Sequence, residues 1–145
     1  MTYFKIINLL ILSVLGALLS ITCSVVFTIC KNDWAVLWSF LSALYTLMNV
    51  YLISLEYAEK LEYYYNLSIL KNINCFACIS TICYTFALIW YIFEIIYYNM
   101  PSLPLNESYP AIAVMCFMTA NWAAVLTIIT RRQIKMLCNI SRYFL

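Results

Sequence analysis

Long apolar stretches alternate with short polar ones along this chain. The first, Ile6 to Cys30, runs 25 residues without a charge. A second runs from Trp34 to Leu55, a third from Ile73 to Phe93 and a fourth from Ala111 to Thr130. A helix needs roughly 20 mainly apolar residues to cross the hydrocarbon core of a bilayer, and each stretch meets that requirement. The pattern predicts an all-α, integral membrane four-helix bundle. It is read as a single domain over residues 1–145, with spans at about 6–30, 34–57, 73–98 and 110–130. Four spans and short loops leave no room in it for a separate soluble domain. The first stretch has the early lysine and apolar core of a signal peptide. That core is far longer than the roughly 7–15 residues such a signal uses, so it is read as a helix.

Composition agrees with the pattern. The chain is 66% hydrophobic and 10% charged, too little polarity to cover the surface of a soluble domain of this size. The cations set an orientation. Lys5, Lys60, Lys71, Arg131, Arg132, Lys135 and Arg142 fall in one set of connecting segments, and Lys31 alone falls in the other. Basic segments stay on the cytosolic side, so both termini are expected there. Asn106-Glu107-Ser108 then becomes a glycosylation acceptor on the non-cytosolic side, whereas Asn66-Leu67-Ser68 is cytosolic and silent.

The helical period sorts the polar residues onto faces. Ser13, Gly16, Ala17, Ser20 and Ser24 share one face of the first span, and Cys116, Ala120, Ala123, Thr127 and Thr130 share one face of the fourth. Small residues at this spacing let backbones approach closely in lipid, and self-association is expected through these stripes. The second span aligns Ser42, Tyr45, Thr46, Asn49, Glu56 and Lys60, and the third aligns Ser80, Tyr84, Ala87, Tyr91, Glu94 and Tyr98. Polar groups facing lipid would lose water without a replacement, so both faces should turn inward. Together they are expected to line a pathway closed at its outer end by Glu94 and Tyr98. Glu94 reads equally as a functional intramembrane carboxylate or as an interfacial group. The Tyr63–Tyr65 run and the Tyr97-Tyr98 pair read as interfacial belts. Glu56 and Lys60 have the spacing of an ion pair on a solvated helix end.

Several chemistries drop out. The chain has no histidine and one glycine, so neither a histidine-based catalytic arrangement nor a glycine-rich phosphate loop can be built, and no enzyme is expected. Cys75-Phe-Ala-Cys78 has CxxC spacing but no second pair to complete a zinc site. The basic residues are too few, and too close to the spans, for nucleic acid. No metal and no prosthetic group is expected.

The last helix carries a resemblance. Glu107-Ser-Tyr109, Val114, Phe117, Asn121-Trp122-Ala123 and the ending Ile129-Thr-Arg-Arg-Gln133 are similar to the final helix of the haem-responsive gene family of haem transporters. In that family a polar-Trp pair, usually Lys-Trp, sits mid-helix, and an aromatic-basic motif of the type Phe-Ala-Arg-Lys-Tyr ends it. Arg131 and Arg132 match the two basic positions. Ile129 and Gln133 replace the two aromatics, and Asn121 replaces the lysine. Lys31-Asn-Asp-Trp34 resembles the family's short first outer loop. The length, four spans and cytosolic termini fit as well.

The resemblance implies a transporter that moves haem toward the cytosol across a plasma or endolysosomal membrane without ATP. Four helices enclose little volume, so a homodimer or homotrimer with a larger pathway is expected. Haem would be its cargo and not a prosthetic group. The family's second helix carries a His or Tyr proposed to bind haem iron. Asn49, Tyr51 and Ser54 are possible matches here, of which only Tyr51 could ligate iron. Further candidates on this reading are Tyr84 and Tyr91, with Tyr98 and Tyr109 at the outer mouth. Arg131 and Arg132 would meet the propionates through charge-assisted hydrogen bonds. Glu94, Asn121 and Trp122 would line the route. Two other readings stand beside it. One is a small transporter of another substrate, although the four-helix multidrug exporters place a carboxylate in the first helix, which has none here. The other is a non-transporting tetraspan scaffold or sorting protein, although many of those carry paired cysteines in a large outer loop.

Overall fold

The computed structural model describes residues 3–58, 67–99 and 109–144. Lys60, the Tyr63–Tyr65 belt, Asn66 and Asn106 lie outside the described residues, as does the side chain of Tyr109. The described chain is all-helical: α1 (Tyr3–Ile29), α2 (Asp33–Tyr57), α3 (Leu67–Tyr98) and α4 (Tyr109–Phe144). All four helices are long and apolar enough to cross a membrane. Two overrun the apolar stretches that announced them. α3 begins at Leu67 and α4 continues to Phe144. Apolar length marks where a helix can meet lipid, whereas helical hydrogen bonding continues into polar sequence until something stops it. After Pro110, in the first turn where proline is tolerated, α4 meets neither glycine nor proline.

The turn between α1 and α2 is built without glycine. Lys31 adopts φ 61°, the left-handed conformation that commonly ends a helix. Its N–H donates to the Thr28 carbonyl at 3.2 Å, and that of Asn32 to the Phe27 carbonyl at 3.0 Å. Asn32 then starts α2, its side-chain oxygen accepting from the Ala35 N–H at 3.3 Å. Asp33 adds a negative charge at the positive end of the helix dipole.

The parallel pair α2 and α4 forms the centre. Thr119 donates to the Trp38 carbonyl and Gln133 to the Leu52 carbonyl, both across a separation of 81 residues, which fixes the two helices in one direction and one register. α1 lies against α2, where Ser20 and Ser42 share a hydrogen bond of 2.8 Å. α3 runs antiparallel to α4. Cys116 meets the Tyr84 carbonyl near one end, and Thr130 donates to Asn74 Oδ1 at 3.0 Å near the other. One core cluster, with Leu52, Leu70, Leu126 and Ile129, fills the end of the bundle that holds the arginines. A second, with Ala35, Trp38, Ile112 and Cys116, fills the opposite end.

Close approach depends on the small residues. Ser13, Gly16, Ala17 and Ser20 of α1 are buried, as are Cys116, Ala120, Ala123 and Thr130 of α4. Both stripes are therefore occupied within one chain. The expectation that they carry self-association fits this packing poorly, because only Ser24 and Thr127 of the two stripes stay half-buried. Their work is internal, as Gly16 shows. A Cβ added there would come within 2.8 Å of both Cε2 and Cη2 of Trp122.

Candidate ligand groove

The polar face of α2 turns inward, but it does not line an open path. Ser42, Thr46 and Asn49 are fully buried. The Asn49 amide donates to the Trp122 carbonyl at 3.3 Å. At the penultimate position of α2, Glu56 forms an ion pair with Arg132 and accepts from Gln133 Nε2 at 3.2 Å. Gln133 Nε2 also lies 3.2 Å from the Leu52 carbonyl. The α2–α4 seam is thus zipped along most of its length.

Tyr45 departs from this arrangement by facing α3. Its hydroxyl lies 3.1 Å from that of Tyr84, with the rings edge to face at 5.8 Å. Toward the opposite end, Trp38 Nε1 donates to the Tyr91 hydroxyl at 3.3 Å, and Trp38 also meets the Tyr84 ring at 5.4 Å. These aromatic contacts join α2 to α3 on one side of the bundle. Next to them the two helices leave a groove of about 460 Å³, open along one side and lined by Leu41, Leu44, Tyr45, Met48, Asn72, Ile73, Phe76, Tyr84 and Leu126. The walls are apolar and aromatic. The polar contributions are the two phenol hydroxyls and the amide of Asn72, with the thioether of Met48 beside them. Asn72 lies twelve residues before Tyr84 along α3, about 18 Å at the helical rise.

The sequence-expected residues fall in different places. Tyr84 lines the groove, and Tyr91 lies beyond it in contact with Trp38. Asn49 belongs to the α2–α4 seam. Tyr51 is 46% exposed; it follows Leu44 by seven residues and so continues the same stripe of α2 past the groove. Glu94 is half-buried and Tyr98 is exposed, its ring edge-on to Tyr97 at 4.9 Å. Trp122 is buried against Gly16, whereas Asn121 is exposed on the outer face of α4. The arginines separate: Arg131 is exposed and Arg132 pairs with Glu56. The structure brings Tyr84 together with Tyr45, Arg132 with Glu56, and Asn49 with the backbone of Trp122; the remaining candidates are scattered.

Two residues matter here beyond the expected set. Tyr45 was visible in the sequence as a member of the polar face, and its position four residues before Asn49 hid the fact that it turns to a different neighbour. Gln133 looked like a lost aromatic. It is fully buried and bridges α4 to α2. Among the described residues no cluster of three or more acidic, cysteine or histidine side chains stands together to hold a metal ion. No family model, no curated protein and no solved structure matches the chain.

Proposed function

We propose that the chain is a multi-pass membrane transporter that takes haem into the groove between α2 and α3 and passes it toward the basic, cytosolic end. The groove carries this reading. It is apolar and open sideways, so that a flat macrocycle can enter with one edge left outside, and it offers groups that can ligate iron: the phenols of Tyr45 and Tyr84 and the thioether of Met48. A side opening in a chain with four span-length helices suits a ligand that arrives dissolved in the bilayer. The groove lining holds no cation for the propionates; Asn72, at its basic end, is the group assigned to them, and Arg131 is not part of the lining. Arg132 is given a structural role through Glu56. The resemblance of the fourth helix to the haem transporters supports the cargo, and the seven-to-one placement of Lys and Arg supports the orientation.

A second reading has its own observation. Hydrogen bonds close the α2–α4 seam, as befits a rigid tetraspan scaffold without cargo. The test that separates the two is growth of a haem-auxotrophic yeast expressing the protein at its surface. Growth at low external haem, lost in the Tyr45→Phe/Tyr84→Phe double variant, supports transport. No growth advantage despite surface expression rejects it. The plasma or endolysosomal location is proposed with the transport reading and is read out by where a tagged chain resides.

A further inference from the structure

The outer face of α4 carries a pattern that neither the groove nor the seam uses. Val114, Phe117, Asn121, Ala124, Ile128 and Arg131 follow one another at alternating steps of three and four. This is the heptad spacing by which two helices pack along a left-handed seam. Ala124 is half-buried and the other five are exposed, Val114 at 59% and Ile128 at 66%. Leu126, the residue of α4 that lines the groove, is not among them.

Asn121 stands in the middle of this stripe. It comes eleven residues after Pro110, about 17 Å along the helix, which is near the centre of a core about 30 Å thick. An amide facing hydrocarbon there loses its water and gains no partner. Other exposed hydroxyls along the helices satisfy themselves locally. Thr22 donates to the Leu18 carbonyl at 2.8 Å, Thr28 to the Ser24 carbonyl at 2.7 Å and Thr85 to the Thr81 carbonyl at 2.7 Å. The Asn121 carboxamide makes no hydrogen bond with any described residue.

We infer that this face binds a second copy of the chain, α4 against α4, with the two Asn121 carboxamides hydrogen-bonded across a twofold axis. The occupant follows from symmetry and chemistry. Two copies inserted in the same orientation bring Asn121 to the same depth, with their α4 helices parallel, as a twofold axis along the membrane normal requires. A carboxamide is both donor and acceptor, so it complements itself; a lipid tail offers it nothing. A single asparagine in an otherwise apolar seam is a known device for fixing the register of a parallel pair. Arg131 ends the stripe at the basic end, where headgroups and water keep the two like charges apart. The inference rests on the membrane-spanning reading and does not depend on haem being the cargo.

The test uses the full chain in phosphatidylcholine vesicles, with donor- and acceptor-labelled copies mixed and energy transfer followed as lipid is added. Association that weakens on dilution is expected for the unaltered protein. Asn121→Leu should weaken it by about three- to tenfold, the range of an interhelical hydrogen bond in lipid, and Asn121→Gln should retain most of it. A photo-crosslinking side chain at Ile128 should give covalent dimers, and one at the exposed Ile79 of α3 should not. An inserted chain that stays monomeric, or equal association for Asn121→Leu, overturns the inference, and so do dimers formed from Ile79 but not from Ile128. A chain stripped from the vesicles by carbonate overturns the spanning reading and this inference with it.

Discussion

The indole of Trp122 lies against the backbone of Gly16, the single glycine of the chain. α1 has little else holding it to α4, so this contact sets their separation. Gly16→Ala should destabilise the protein by about 1–3 kcal/mol, the usual cost of overpacking. Pairing it with Trp122→Phe should recover part of the loss, because the colliding atoms belong to the six-membered ring of the indole. Unfolding of the purified protein by denaturing detergent in mixed micelles measures both.

The two adjacent arginines should behave differently. Glu56 is 7% exposed and holds both Arg132 and Gln133. Glu56→Ala removes an acceptor shared by both donors and should cost roughly 1–3 kcal/mol; Arg132→Gln should lie at the low end of that range, because Arg132 is 23% exposed and partly solvated. Arg131→Gln should leave stability unchanged. If transport also falls in Arg131→Gln, the residue handles the ligand; the same unfolding assay beside haem uptake decides it.

Ser20 and Ser42 should couple only weakly, despite full burial. Interhelical hydrogen bonds in membranes average about 0.6 kcal/mol. A double-mutant cycle with Ser20→Ala and Ser42→Ala should return a value of that order.

The α1–α2 turn should be improvable. Lys31 holds a left-handed conformation that costs a residue with a Cβ about 1–2 kcal/mol. Lys31→Gly should raise stability by a fraction of that, offset by glycine's greater freedom in the unfolded chain. Asn32→Ala should lower it by about 1 kcal/mol through loss of the α2 cap.

The four helices were legible in the sequence because an uninterrupted apolar run of span length has few alternatives. The inward turn of Ser42, Thr46 and Asn49 was legible too, because the helical period gives the direction of each side chain. The partner was not legible, since direction on one helix does not say which neighbour stands there. Residues read as lining a pathway are therefore found bonded to α1 and α4. Tyr45 and Asn49, a single turn apart, diverge to α3 and α4. Arg131 and Arg132 were read as one motif, yet consecutive helical residues point about 100° apart, and in the fold only the second reaches Glu56. The groove depends on how far α2 and α3 separate beside their aromatic contacts, and no local pattern encodes that distance.

Haem titration of the purified protein in lipid nanodiscs, followed by its absorption spectrum, tests the central claim most directly. The unaltered protein should bind haem with a spectrum of phenolate-ligated iron. Tyr45→Phe/Tyr84→Phe should lose that signature while remaining folded, and Tyr51→Phe should keep it. An unchanged spectrum in the Tyr45→Phe/Tyr84→Phe protein, or no saturable haem binding by the unaltered one, would contradict the account.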